Sequence, residues 1–140
     1  MPLIISWPGK VQSGKLSGNV VSAMDLLPTI SAATGIEIPV NLDGQNILPL
    51  LSGKEPSFRH ETLIWDTGHE TAVRQGKWKL RTARNNEHAE KQGVALELGE
   101  FLYDLDEDPG ETKNLTAVHP DLFARLKKLH ADWRAGLKTR

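Results

Sequence analysis

The sequence predicts an α/β fold, which becomes α+β when the chain is considered in isolation. The expected order is one strand and two short helices, then a four-stranded antiparallel sheet packed by a C-terminal helix. An unbroken apolar run at Leu3–Trp7 precedes residues with helical spacing of apolar side chains. After residue 60 the spacing changes to the alternation that is typical of strands. The chain closes with an apolar stripe at steps of three and four, which indicates a helix packed on a sheet.

The first predicted domain, residues 1–56, contains the single strand and the two short helices. The continuous hydrophobicity of the strand favours one that is covered on both faces. A helix is predicted between a cap at Ser22 and a stop at Gly35, and Pro28 either kinks it or marks the start of its regular part. Residues 47–51 predict a short apolar helix. These elements cannot bury one another completely, so we expect an exposed core edge and self-association through it.

The second predicted domain, residues 57–140, contains the antiparallel sheet. Strands are predicted over 62–65, 71–74, 77–82 and 101–105. A tight turn at Gln75-Gly76 joins the second strand to the third. In the third strand, the alternation predicts that Trp78 and Leu80 point inward and that Lys77, Lys79 and Arg81 point outward.

The rest of the second domain is a loop and a helix. Residues 83–99 are charged and irregular, and they predict a mobile loop. Pro120 opens the last helix. Its apolar stripe, which should pack on the sheet, comprises Leu122, Leu126, Leu129, Trp133 and Leu137.

Composition excludes several classes of function. The 140 residues include 17 Lys and Arg against 18 Asp and Glu, so the net charge of −1 argues against a nucleic-acid partner. No apolar run approaches the ~20 residues that span a bilayer, so no membrane partner is expected. The absence of cysteine excludes a disulfide scaffold, thiolate zinc and thiol catalysis. The N-terminus does not resemble a signal peptide, and the localisation stays open.

Two motifs contain residue types that are found in functional sites, but their spacing or context does not fit such a site. Ser6-Trp7-Pro8-Gly9-Lys10 is better explained as a strand end that runs into a turn. Asp104, Asp106 and Asp108 alternate like the ligands of a calcium loop, but the glycine falls at the seventh place and the twelfth place is Leu115. We therefore interpret this stretch as a solvated acidic turn.

One histidine is a candidate site residue. The five histidines show no pair at metal-ligand spacing, and a single histidine is more often a surface residue than a ligand. His69 differs because it lies in a loop between two predicted strands, near Trp65, Asp66 and Arg74. Such loops often line pockets, so His69 is a candidate for a functional role together with these neighbours.

Six motifs in order resemble the later part of a type I, formylglycine-dependent sulfatase or arylsulfatase of the alkaline-phosphatase-like superfamily. They cover residues 2 to about 135. In the first domain they are Pro2-Leu3-Ile4-Ile5-Ser6-Trp7-Pro8-Gly9, Asp25-Leu26-Leu27-Pro28-Thr29-Ile30, and Asp43-Gly44 with Leu48-Pro49-Leu50-Leu51-Ser52-Gly53. In the second they are Ala72-Val73-Arg74-Gln75-Gly76-Lys77-Trp78-Lys79-Leu80, Leu102-Tyr103-Asp104-Leu105, and Asp108-Pro109-Gly110-Glu111 through Asn114-Leu115.

The resemblance implies that residues 1–56 are the edge of an alkaline-phosphatase-like core and that the rest is the C-terminal subdomain. Sulfatases use a formylglycine, made from Cys or Ser in a Cys/Ser-x-Pro-x-Arg motif, together with a calcium ion. Neither site matches a residue of this chain, since Lys10 stands where the motif after Ser6 needs Arg. We therefore assign no catalytic residue and no metal ligand, and expect no cofactor in this chain. Formylglycine and calcium are implied for the full-length family enzyme.

Three functions follow as hypotheses. In the first, the chain is the C-terminal fragment of a sulfatase, inactive alone, whose full-length enzyme takes a sulfate-ester substrate. In the sulfatase family, loops of the C-terminal subdomain often form part of the substrate entrance. Under the first hypothesis, the resemblance therefore implies a substrate-binding role for Trp65, His69 and Arg74. In the second, it is a non-enzymatic module that binds sulfated glycans or a protein partner. A nucleic-acid or membrane-surface role for the basic last helix is the weakest, because the net charge is −1.

Overall fold

The computed structural model describes residues 3–38, 41–54, 60–85 and 97–137. The chain divides into two compact units, Met1–His60 and Glu61–Arg140. The domain boundary predicted after residue 56 lies outside the described residues. So does most of the predicted mobile loop, whose two ends belong to strands instead.

The first unit is built around one capped helix. A 3-10 turn, Ala23–Asp25, leads into helix α1, Leu26–Thr34. The hydroxyl of Ser22 accepts from the backbone of Met24, as expected of the cap residue. Pro28 lies in the first turn of α1, where a backbone N–H has no partner within the helix, so it starts the regular part. Gly35 ends α1 in the left-handed conformation (φ 72°), which confirms the predicted stop.

Helix α2, Leu48–Leu51, confirms the second short helix. The segment before it lies against the start of α1 at Gly44. A β-carbon built at this glycine would lie 1.9 Å from the carbonyl oxygen of Met24, so only glycine fits there. The approach allows the backbone N–H of Ile47 to donate to the Thr29 hydroxyl at 3.0 Å. The Asp43-Gly44 motif thus fixes how two parts of the first unit meet.

The segment 3–7 differs from its prediction. The structure places no strand there, and Ile4 is 90% exposed. A strand forms only where a neighbouring strand supplies ladder partners, and the described residues of this unit supply none. The turn that follows does form, since the backbone N–H groups of Lys10 and Val11 both donate to the carbonyl of Trp7.

The second unit contains the antiparallel sheet. Its strands are β1 (Leu63–Asp66), β2 (Glu70–Gln75), β3 (Trp78–Ala83) and β4 (Gly99–Asp104), paired in the order β1-β2-β3-β4. All four predicted strands are confirmed, with ends shifted by one or two residues.

The hairpin turn between β2 and β3 is displaced by one residue. Gln75 pairs with Trp78, so the two loop residues are Gly76 and Lys77. Gly76 takes a φ of 58°, which suits the first central position of a type II′ turn. Lys77 therefore belongs to the turn instead of the strand, and its ammonium lies 2.7 Å from the Asp104 carboxylate.

Helix α3, Pro120–Leu137, packs on one face of the sheet. The buried centre of this core consists of Val73, Leu80, Leu102 and Leu126. The predicted stripe is confirmed for Leu122, Leu126 and Leu129, which belong to the core or pack against it. Trp133 and Leu137, further along the helix, are 37% and 46% exposed, so the stripe is buried only in its first part.

An asparagine side chain completes the free edge of β4. The side-chain oxygen of Asn114 accepts from the backbone N–H of Leu102 at 3.1 Å, and its amide donates to the carbonyl of Glu100 at 3.2 Å. The N–H of Leu115 donates to the carbonyl of Leu102 at 2.8 Å. The Asn114-Leu115 pair thus protects backbone groups that an edge strand would otherwise leave open.

Candidate functional site

The face of the sheet opposite α3 carries a groove of about 380 Å³, which is within the size range of small-molecule sites. Strand register explains how its side chains meet. Trp65 of β1 pairs with Ala72 of β2, and Arg74 of β2 pairs with Lys79 of β3. Side chains of directly paired residues lie on the same face of a sheet. The residues that line the groove are Trp65, Thr67, Glu70, Thr71, Ala72, Arg74, Lys79, Leu105 and Glu111.

Two ion pairs lie on this face. The ammonium of Lys79 lies 2.5 Å from a carboxylate oxygen of Glu111, and both side chains are about three-quarters buried. The guanidinium of Arg81 pairs with the carboxylate of Glu70. Arg74 is different, because its Nε donates to the backbone carbonyl of Gly76 at 3.1 Å and it forms no ion pair with a described residue. Within the described part of the chain, Arg74 is therefore a cation of the groove without a carboxylate partner.

The chemistry around Arg81 keeps it charged. Burial alone would lower the pKa of its guanidinium, but the hydrogen bond and negative charge of Glu70, together with a hydrogen bond to Tyr103, raise the pKa above the ordinary value. Burial also raises the pKa of the Tyr103 phenol, which therefore stays neutral at physiological pH. The guanidinium lies 5.3 Å from the ring centre of Phe101. At this end of the face, the guanidinium of Arg81 thus contacts both the carboxylate of Glu70 and the ring of Phe101.

Glu111 reaches the groove from a constrained turn. Its φ of 57° is in the left-handed region, which is uncommon for a residue other than glycine. The turn is held by Asp108, whose carbonyl accepts from the N–H of Glu111 and whose carboxylate accepts from the N–H groups of Thr112 and Lys113 at 2.7 and 2.8 Å. The bond from Lys113 contributes most to lowering the pKa of Asp108. These backbone donors account for the conformation of the turn around Asp108.

A buried network in the first unit is centred on Asp25, whose side chain is fully buried. Its carboxylate accepts from the backbone N–H groups of Ser22 at 2.7 Å and Gln45 at 2.8 Å, and from Nε2 of His60 at 2.8 Å. Burial acts to raise the pKa of this carboxyl, but the bonds from Gln45, His60 and Ser22 outweigh burial and hold it below the ordinary value. Donors occupy both oxygens, so the network stabilises the unit and leaves no oxygen open for a substrate.

The apolar side of α1 is exposed, whereas its polar side is buried. Thr29 and Ser31 are buried around the Asp25 network, while Leu27 and Ile30 are more than half exposed. A helix of a soluble domain normally shows the reverse arrangement. The first unit thus presents an apolar surface in the described residues, as the sequence predicts for an incomplete core.

Comparison with known proteins identifies the family of the chain. A family model described as N-sulphoglucosamine sulphohydrolase, C-terminal, matches residues 1–135. The chain belongs to the sulfatase family. This confirms the resemblance, and the match is to the C-terminal region of these enzymes.

Several sulfatases are similar to this chain over most of its length. Bovine arylsulfatase A is 34% identical over 149 residues, which cover 91% of this chain and 29% of that protein. Human arylsulfatase K is 33% identical, with 94% of this chain and 25% of that protein covered. A solved structure of a 2-O GAG sulfatase is 27% identical, with a TM-score of 0.61 over 81% of this chain and 24% of that one. The chain therefore spans between 24% and 29% of the length of these sulfatases.

The structure places two of the three predicted site residues of this sulfatase domain together. Trp65 and Arg74 both line the groove, and Trp65 is 46% exposed. His69 lies in the loop between β1 and β2, where its Nδ1 is 2.9 Å from the side-chain amide of Asn85, and it is absent from the groove lining. Asp66, the fourth residue near that loop, lies 3.0 Å from Nε2 of His130 on α3. Whether Trp65, His69 and Arg74 bind substrate stays a prediction.

Sequence reasoning missed several residues. Lys79 and Arg81 were expected on the outward face, and the structure places them there, but as partly buried members of ion pairs. Their partners Glu70 and Glu111 gave no signal, because Glu111 is 32 residues from Lys79. The sequence assigned no role to His60, whose side chain is 5% exposed and bonds to Asp25, 35 residues away.

The calcium site implied for the sulfatase family does not fit the residues in hand. Among those that the structure describes, no group of three or more His, Cys, Asp or Glu is arranged to hold a metal ion. Within the same described ranges, no helix is both long enough and apolar enough to cross a bilayer.

Proposed function

We propose that this chain is the C-terminal subdomain of a sulfatase, that its groove contributes to binding a sulfate-ester substrate, and that the chain does not hydrolyse sulfate esters by itself. The observation that carries the proposal is that Trp65 and Arg74 line the same groove. An indole face can stack on a sugar or aryl ring, and a guanidinium presents a planar fork of donors that matches sulfate oxygens.

Lack of activity follows from what sulfate-ester hydrolysis needs. The reaction requires an activated nucleophile and positive charge preorganised around the developing anion. Ser6 is not followed by the Pro-x-Arg pattern of the family nucleophile, since Trp7, Pro8, Gly9 and Lys10 come next. Lys79 in the groove and Arg81 on the same face of the sheet are each paired with a carboxylate, so they do not form a concentrated positive site.

The exposed side of α1 supports a place within a larger enzyme. Leu27 and Ile30 are exposed on a short helix whose polar side is already buried, and the chain spans 29% of arylsulfatase A. We expect this apolar surface to pack against the preceding catalytic region of a sulfatase. In the isolated chain the same surface favours the self-association that the sequence suggests.

Hydrolysis is tested on the purified chain with 4-nitrophenyl sulfate in the presence of added calcium. We expect no release of nitrophenolate above that of a mock preparation from cells without the gene. Sedimentation of the same sample reports its association state. Turnover that scales with the concentration of this chain and is absent from the mock preparation would overturn the proposed lack of activity.

Binding is tested by titrating the chain with N-acetylgalactosamine 6-sulfate. Arg74→Ala should weaken binding about ten-fold or more, because a charge-assisted bidentate contact contributes roughly 1.5–3 kcal/mol. Arg125→Ala is the matched control, since Arg125 is exposed on α3 in the same unit and is not part of the groove. Equal affinities for both variants and the unaltered chain would contradict a role for Arg74.

A further inference from the structure

The charged side chains of the groove are arranged to bind one anionic group of a ligand. Four charged residues line it: Glu70, Arg74, Lys79 and Glu111. Lys79 is paired with Glu111, and Glu70 is paired with Arg81. Among the described residues, the Nε of Arg74 donates to the backbone carbonyl of Gly76 and Arg74 forms no ion pair. A ligand with a single sulfate can therefore bind Arg74 without breaking an existing ion pair.

The ion pair between Lys79 and Glu111 is stabilised by partial burial and by the backbone that holds Glu111. Each side chain is partly buried, at 25% and 28% exposed, which strengthens their attraction relative to a pair in open solvent. Glu111 is also held in place through its backbone, in a left-handed conformation that is strained for a residue with a side chain. The Asp108 hydrogen bonds offset that strain. Such strain is often retained at sites that recognise a ligand.

We propose that Glu111 is a specificity-determining residue that restricts the groove to ligands with one sulfate group, an inference that rests on the proposed binding function. Glu111 neutralises Lys79, so a second sulfate on the same sugar finds no free cation. It must either separate Lys79 from Glu111 or lie near the carboxylates of Glu111 and Glu70. Both alternatives weaken binding, because like charges repel and a partly buried carboxylate would lose its partner.

The experiment titrates the full chain with N-acetylgalactosamine carrying no sulfate, a 6-sulfate, or 4,6-disulfate groups. We expect the unaltered chain to bind the monosulfate at least as tightly as the disulfate. In Glu111→Gln the ammonium of Lys79 is freed at nearly constant side-chain size. The affinity for the disulfate should then rise about five-fold, while the affinity for the monosulfate changes less than two-fold.

Two further variants separate charge from structure. Glu111→Gly removes the carboxylate and adopts the same φ without strain, so it should show the same gain for the disulfate even if the glutamine variant folds poorly. Glu107→Gln removes an exposed carboxylate from the preceding turn, outside the groove, and should leave the ratio of the two affinities unchanged. A general effect of net charge would move this control as well.

The outcomes distinguish the two proposals. If the chain binds the monosulfate and Arg74→Ala weakens it, but neither Glu111 variant changes the ratio of affinities, the role of Glu111 is wrong and the binding function stands. A gain that Glu107→Gln reproduces also overturns the role of Glu111. If the unaltered chain binds none of the three sugars, the proposed binding function fails, and the selectivity fails with it.

Discussion

Replacing Asp25 with alanine is expected to destabilise the first unit by about 3–5 kcal/mol, because each buried hydrogen-bond donor left without an acceptor costs about 1–3 kcal/mol. The change leaves the backbone N–H groups of Ser22 and Gln45 and the ring of His60 without their acceptor in a site that water does not reach. Amide hydrogen exchange reports this locally. We expect the protection of the Ser22 and Gln45 amides to fall by two or more orders of magnitude.

A matched control separates this effect from a general loss of negative charge. Glu37→Gln removes an exposed carboxylate from the same unit and should leave exchange of the Gln45 amide within about two-fold of its original rate. Asp25→Asn should give an intermediate result, because an amide oxygen can accept from one or two of the donors but not from all of them. Unchanged protection in Asp25→Ala would show that the network does not stabilise the unit.

The Asp25 carboxylate also makes the stability of the first unit depend on pH in the acid range. Its pKa in the folded chain lies below the ordinary value of 3.8. A group with a lowered folded-state pKa contributes stability fully above its unfolded pKa and loses that contribution as the pH falls through the folded value. We therefore expect protection of the Gln45 amide, corrected for intrinsic exchange, to be constant with respect to Asp25 above about pH 5 and to fall below pH 4. Asp25→Ala should lack this step.

Local signals in the sequence predict the elements of the fold well. The cap at Ser22 and the stop at Gly35 bound a helix that the structure reproduces, since both act on neighbouring backbone groups. The strand positions follow from alternation in the same way. The segment 3–7 fails because a strand depends on a neighbour, and apolar composition does not say whether that neighbour is present.

The candidate site is predicted less completely, because its members are distant in sequence. Trp65 and Arg74 share the groove through pairing of adjacent strands, which a hairpin pattern can indicate. The pairs Lys79 with Glu111 and Asp25 with His60 span 32 and 35 residues. Nothing local marks either pair, because only the assembled fold brings the partners together. Family motifs include Asp25 and Glu111 without saying what each one contacts.

Leu126→Ala is the second change with a large expected effect, and it acts on the second unit. Leu126 is fully buried and completes the core formed by Val73, Leu80 and Leu102. Truncation to alanine removes buried methyl groups and leaves a cavity between α3 and the sheet. Comparable substitutions cost about 2–5 kcal/mol, and the upper part of this range applies where the surroundings cannot relax. A urea titration of the chain, monitored by tryptophan fluorescence, should show the transition at a lower midpoint.

Leu137 provides the matched comparison on the same helix. It is 46% exposed and lies beyond the core, so Leu137→Ala should change the free energy of unfolding by less than about 1 kcal/mol. The packing of α3 also supports the groove, because α3 lies on the opposite face of the strands that carry Trp65, Arg74 and Lys79. A chain that unfolds more easily after Leu126→Ala should also lose affinity for the monosulfated sugar in proportion to its unfolded fraction. Equal destabilisation by both leucine variants would contradict the packing described for α3.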